Sequence, residues 1–311
     1  METQKQPRPS PTTSLGPAVL PFSLDIVSDY LAGFAPPDGP FDPRGEWDHR
    51  YVMWIALRGQ FGKGHKHGAL RVRRAVDSSG GVTLTVSQTT GPLDVGKIGH
   101  TTATVTLSPE PVEGSKGAAD RLPTPSKWEI DSRILDAAGK LVEYSRARVT
   151  GEVTKGAIIF GGASDRRLKA PKAFTGSWSL FDAVQRLPFD AAPMHFDMLD
   201  DMELIKPRQR LAPGPSMEVT LGGYFDPSAG SGLRMRLHSF EQTGDGILPY
   251  SYWLDDQHRL LAAVGGVRTF IWDPTVKLPE DGPYVMLNSI QHPRQERHAE
   301  LDSASRARVS C

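Results

Sequence analysis

The spacing of apolar and polar residues changes character along the chain. Over residues 21–34, Leu24, Ile26, Val27, Tyr30, Leu31 and Phe34 suit one face of a short helix, with Gly33 near its end. Residues 35–46 hold four prolines and two glycines and read as a loop. From residue 50 the period falls to two. Arg50–Leu57 is nearly continuous apolar, as in a strand covered on both faces. Val82, Leu84 and Val86 alternate with Thr83, Thr85 and Ser87, and Ala103, Val105 and Leu107 alternate with Thr102, Thr104 and Thr106. Such segments are half-buried antiparallel strands.

The same alternation runs through Trp128, Ile130 and Ile134, followed by a Gly-containing turn at DAAGK, a returning strand over 141–149 and a further one over 151–160. Residues 161–172 are read as a long loop. Residues 178–187 (WSLFDAVQRL) predict a helix, since Trp178, Phe181, Val184 and Leu187 share a face, Ser177 can cap it and Pro188 stops it. Residues 194–206 fit helix and strand equally. Strands resume at 217–221, 233–240, 250–254, 259–264 and 267–272. The expected fold is mainly β with few helices: a large, highly curved antiparallel sheet wrapped around a short helix.

Composition bounds the rest. With 36 basic and 36 acidic residues among 311, the net charge is zero, which offers no long-range field for nucleic acid or anionic lipid. No apolar run approaches the ~20 residues of a transmembrane helix. The only cysteine, Cys311, is the last residue, so no intrachain disulfide can form. The start lacks the basic and apolar pattern of a signal peptide, so the chain as written reads as cytoplasmic, with the periplasm or envelope left open if the start site is misassigned. Residues 1–20 read as a disordered tail, 21–290 as a single β-rich domain and 291–311 as a disordered tail of repeat-derived sequence.

The stretches WEIDSRILDAAGKLVEYSRARV (128–149), FTGSWSLFDAVQRLPF (174–189) and ILPYSYWLDDQHRLLAAVGGVRTFIW (247–272) resemble patterns in uncharacterised bacterial β-clam families with a lipoprotein-localisation-factor-like fold. That resemblance implies a concave sheet sheltering an apolar or amphiphilic ligand, often in the bacterial envelope, and it brings no catalytic residues.

Candidate chemistry is sparse. There is no G-x-S-x-G, P-loop or Rossmann fingerprint, and no cofactor is implied. His65 and His67 could share a strand face, but a third metal ligand is missing nearby and the pair reads as a solvated hairpin tip. The acidic run His195, Asp197, Asp200, Asp201 and Glu203 reads as a wet face opposite Phe196, Leu199 and Met202. Arg71, Arg73, Arg74, Arg234 and Arg236 read as solubilising positions. Tyr250 and Tyr252, two residues apart on one strand face, can line a pocket mouth. The leading expectation is a non-enzymatic binder of a small apolar or amphiphilic molecule using Trp178, Phe181, Tyr250, Tyr252, Trp253 and His195. The alternatives are an enzyme with an acid/base site drawn from His195, Asp197, Tyr252 and His258, and a partner-binding protein that pairs through a sheet edge.

Overall fold

The computed structural model describes residues 37–56, 64–94, 96–108, 122–221, 233–265 and 268–281. The expected terminal tails and the helix over 21–34 lie outside these residues. In chain order the strands are β1 (Trp47–Ala56), β2 (Gly64–Val76), β3 (Val82–Asp94), β4 (Lys97–Leu107), β5 (Pro125–Leu135), β6 (Ala147–Thr154), β7 (Ala157–Gly162) and β8 (Arg166–Lys169). Then come β9 (Phe174–Gly176), the helix α1 (Ser177–Arg186), β10 (Met194–Asp200), β11 (Leu204–Leu221), β12 (Leu233–Thr243), β13 (Tyr250–Leu254), β14 (Leu260–Gly265) and β15 (Arg268–Trp272).

All fifteen strands belong to one curved sheet in the order β8-β7-β6-β5-β4-β3-β2-β1-β15-β14-β13-β12-β11-β10-β9. Every pairing is antiparallel except that of β9 with β10. The chain winds outward from β1 to one edge, crosses to the opposite edge, and winds back to close on β1 through β15.

That crossing dictates the curvature. The two edge strands, β8 and β9, are consecutive, and the extended chain from Lys169 to Phe174 spans at most about 17 Å. A flat sheet of this width cannot satisfy so short a link, so the edges curl toward each other. They are tied by side chains. Arg166 of β8 donates to the carbonyl of Glu203 in the β10–β11 turn, and Thr175 Oγ1 of β9 donates to Pro123 O, 2.7 Å, just before β5.

A curl of fifteen strands encloses more space than its own side chains can fill. The helix occupies it. Trp178, Leu180, Phe181, Val184 and Leu187 are buried, and Phe181 meets Tyr51, Tyr252 and Phe270 edge to face at centroid distances of 5.6, 6.3 and 5.7 Å. Each such side chain contributes roughly 1.5–3 kcal/mol when fully buried. The polar residues of α1 are buried too. Asp182 Oδ1 lies 2.9 Å from Arg74 Nε of β2, and Gln185 Oε1 accepts from Leu260 N of β14 at 3.0 Å. The helix is therefore held from opposite arms of the sheet.

Several local expectations change. The region 194–206 is a β-hairpin, because Asp201 and Met202 both take left-handed φ (46° and 59°) in a tight turn closed by Glu203 N to Asp200 O. Ser177 opens α1 instead of capping it: Gly176 is the N-cap, and Ser177 Oγ accepts from Asp201 N at 3.1 Å. The return over 141–149 is only a single bridge, Leu135 to Leu141, and pairing resumes at Ala147. The stretch 151–160 is divided by a turn at Lys155–Gly156. The loop over 161–172 contains β8. His65 and His67 belong to β2 itself, opposite β1, and not to a hairpin tip. Arg74 points inward, away from the exposed basic face that Arg71 shares with Asp48.

Candidate functional site

The helix does not fill the curl completely. Between its N-terminal half and strands β10, β13, β14 and β15 lies a cavity of about 340 Å³. Trp178 and Phe181 line it from the helix, Tyr250 and Tyr252 from β13, and Phe270 from β15. Alternation explains the strand contributions: positions 250 and 252 face inward, as does 270, while 253 and 271 between and beside them face outward. The two tyrosine rings lie 5.3 Å apart.

The floor is polar but saturated. Tyr252 donates its hydroxyl to Gln242 Oε1 (2.9 Å), Gln242 Nε2 donates to Gln209 Oε1 (3.1 Å), and Gln209 Nε2 reaches Pro207 O and Asp245 O at 2.9 and 3.0 Å. Burial raises the pKa of both tyrosine hydroxyls, so they stay protonated donors.

The mouth is charged. Asp200, Asp201, Lys206 and Arg268 line it, with Leu248 exposed beside them. Asp200 and Lys206 pair at 2.6 Å. Asp201 reaches solvent at the mouth, yet the surrounding protein withdraws water from its carboxyl, and this crowding followed by the Asp200 charge raises its pKa. Its position comes from the left-handed turn, held by Ser177 on one side and by Met202, fully buried, on the other. A non-glycine pair in this conformation costs of order 1–3 kcal/mol per residue, which burial of Met202 and the Ser177 bond offset.

Of the six residues expected to meet a ligand, Trp178, Phe181, Tyr250 and Tyr252 converge on this cavity. Trp253 does not. It lies on the outer face in a second apolar cluster with Val52, Trp54, Leu261, Val264 and Ile271. His195 is also elsewhere, in an open groove with Lys172, Asp197, Arg208 and Arg210. Residues that sequence reasoning passed over include Phe270, Gln242, Lys206 and Arg268. Only topology brings them together: β11 pairs directly with β12, and β12 reaches β15 through β13 and β14.

The acid/base set His195, Asp197, Tyr252 and His258 is divided among three places: the open groove, the cavity floor and the β13–β14 turn. A different polar chain forms near the C-terminal end of α1. Ser216 Oγ lies 2.8 Å from His238 Nδ1, and His238 Nε2 lies 2.8 Å from Asp256 Oδ1. Phe189 is sandwiched between the imidazoles of His238 and His258, at centroid distances of 3.7 and 3.9 Å.

No family model matches the chain, and no curated protein matches it. Among solved structures it is similar to one described as a beta-barrel-like protein of Domain of Unknown Function DUF1849 from Brucella abortus. The two are 10% identical, the TM-score is 0.45, and the match covers 74% of this chain and 96% of that one. What stands of the expected resemblance is a strand-rich chain with one curved sheet; no resemblance to a lipoprotein-localisation factor is shown.

Proposed function

We propose that this protein is a non-enzymatic binder of a small amphiphilic molecule, held in the cavity between α1 and the inner face of the sheet. The observation that carries this reading is the unfilled space itself: about 340 Å³ walled by five aromatic rings and opening on a charged mouth. Apolar walls with a few placed polar groups are the usual make-up of a small-molecule site. Removing apolar ligand surface from water there contributes about 25 cal/mol per Å². The saturated Tyr252–Gln242–Gln209 chain leaves the floor without polar groups in need of a partner, which suits an alkyl or aryl portion at depth.

The test is native mass spectrometry of the purified protein, paired with titration of an apolar fluorescent probe. A co-purifying amphiphile, or probe binding that Leu248→Trp at the mouth weakens, supports the reading. A clean apo mass together with no probe binding would overturn it.

The Ser216–His238–Asp256 chain favours a second reading, a serine-dependent hydrolase. With Asp256 accepting from Nε2–H, the Nδ1 lone pair faces the exposed Ser216 hydroxyl, which is the tautomer a general base needs. Labelling of Ser216 by a fluorophosphonate, lost in His238→Gln, supports it, and absence of labelling in the native protein removes it.

A further inference from the structure

The charges at the cavity mouth divide into a satisfied pair and an unsatisfied one. Asp200 and Lys206 neutralise each other at 2.6 Å. Asp201 and Arg268 form no side-chain hydrogen bond or ion pair with each other or with any described residue, although Arg268 is near enough for its charge to act on Asp201. The Tyr250 hydroxyl beside them is likewise without a hydrogen-bond partner among the described residues. The α1 N-terminus, which contributes Ser177 and Trp178 to the same wall, has no side-chain cap.

Head groups can be compared against this mouth. A lone carboxylate or sulfate would meet Arg268 but also the uncompensated charge of Asp201. A lone ammonium would satisfy Asp201 and leave Arg268 facing a like charge. An uncharged sugar or hydroxyl head would leave both charges unpaired as it excluded water from them, a net cost. A head with adjacent anionic and cationic groups satisfies both at once. Its anionic oxygen suits the Arg268 guanidinium and the partial positive charge of the uncapped helix end. Its ammonium suits Asp201, and Tyr250 and Trp178 of the same cavity wall are aromatic groups of the kind that attract cations.

We infer that the cavity selects an amphiphile with a zwitterionic head, its anionic group toward Arg268 and its ammonium toward Asp201. The inference rests on the reading of this cavity as the binding site and adds the chemistry of the head. It distinguishes two sources of the same chemistry: a zwitterionic lipid, whose alkyl tail occupies the aromatic space, and a free soluble zwitterion, which leaves that space empty.

The experiment is a set of titrations by tryptophan fluorescence and native mass spectrometry, below micelle-forming concentrations. The probes share a twelve-carbon tail and differ in head: phosphocholine, maltoside, carboxylate and amine. Free phosphocholine serves as the tail-less arm. The expected result is that the phosphocholine-headed probe binds at least about ten-fold tighter than the maltoside-headed one, the scale of one charge-assisted contact. Arg268→Gln and Asp201→Asn should each reduce that preference, and the double variant should bind both probes alike. Equal affinity for all four heads, or a preference untouched by both variants, would overturn the zwitterion and leave the apolar cavity standing. Equally tight binding of free phosphocholine would overturn the amphiphile in favour of a soluble zwitterion. Failure of every tailed probe would remove the cavity reading as well.

Discussion

Arg74 Nε lies 2.9 Å from Asp182 Oδ1, and both side chains are almost wholly withdrawn from solvent, at 2% and 0% exposure. Arg186, one turn further along α1, approaches the other carboxylate oxygen at 2.6 Å. Arg74 also donates to the carbonyls of Arg44 and Gly45. A single carboxylate thus ties the helix to β2 and, through Arg74, to the chain entering β1. Such a network fixes which way the helix sits inside the sheet more than it adds net stability.

Asp182→Ala removes the carboxylate that two buried guanidinium groups share. We expect destabilisation of about 3–5 kcal/mol, the usual cost of removing one partner of a buried pair. Equilibrium denaturation reads this as a lower midpoint. A loss under about 1 kcal/mol would mean that the other partners of the two arginines suffice without Asp182.

His49 makes the fold acid-sensitive. Its ring stacks on Trp47 at 4.5 Å, meets Trp272 edge-on at 4.8 Å and packs near Phe41 at 5.2 Å. Burial, and then the positive charge of Arg259, lower its pKa from 6.5 to about 3, with Asp48 opposing weakly. Between those values the unfolded chain binds a proton that the folded chain refuses. Stability is therefore complete above about pH 6.5 and falls as pH drops toward 3, by up to about 1.4 kcal/mol per pH unit. Replacing His49 with Phe, which keeps the stacking, should flatten that slope between pH 6 and 4. An unchanged slope would place the acid sensitivity elsewhere.

Gly151 permits the closest packing in the β5–β6 arm. It pairs directly with Trp128, and a Cβ built on it would stand 2.0 Å from Trp128 Cε2. The indole lies flat over the glycine and meets Phe160 edge to face at 5.8 Å. Gly151→Ala should cost about 1–3 kcal/mol through displacement of the indole. Adding Trp128→Leu should recover part of it, since the two substitutions share one contact. Simple additivity in chemical denaturation would refute the steric account.

Strand positions were legible where one face is wet, because Thr and Arg alternate with Val and Leu in β2, β3, β4 and β12. The helix was legible for the same reason, from Trp178, Phe181, Val184 and Leu187. Its interior position was half hidden, since Asp182 and Gln185 look like a solvent face until Arg74 and Leu260 are found against them. The β10–β11 hairpin was hidden because Asp201–Met202 lacks the glycine that normally marks such a turn. The aromatic part of the cavity could be read from Trp178, Phe181, Tyr250 and Tyr252. Its charged mouth could not, because Lys206 and Arg268 sit on strands 62 positions apart whose adjacency only the sheet order establishes.

The glutamine chain under the cavity makes a prediction that separates scaffold from site. Gln242 is 2% exposed and joins Tyr252 to Gln209. Gln242→Leu fills similar space but leaves the Tyr252 hydroxyl and the Gln209 carbonyl buried without partners, at an expected cost of about 1–3 kcal/mol. Tyr252→Phe combined with it removes one of those stranded groups. The double variant should therefore be more stable than the sum of the single losses implies. Because both substitutions keep the cavity apolar, a tailed ligand should still bind to the folded double variant. Loss of binding at full folding, measured at the same temperature and pH, would show that the Tyr252 hydroxyl contacts the ligand directly and that the cavity floor takes part in recognition.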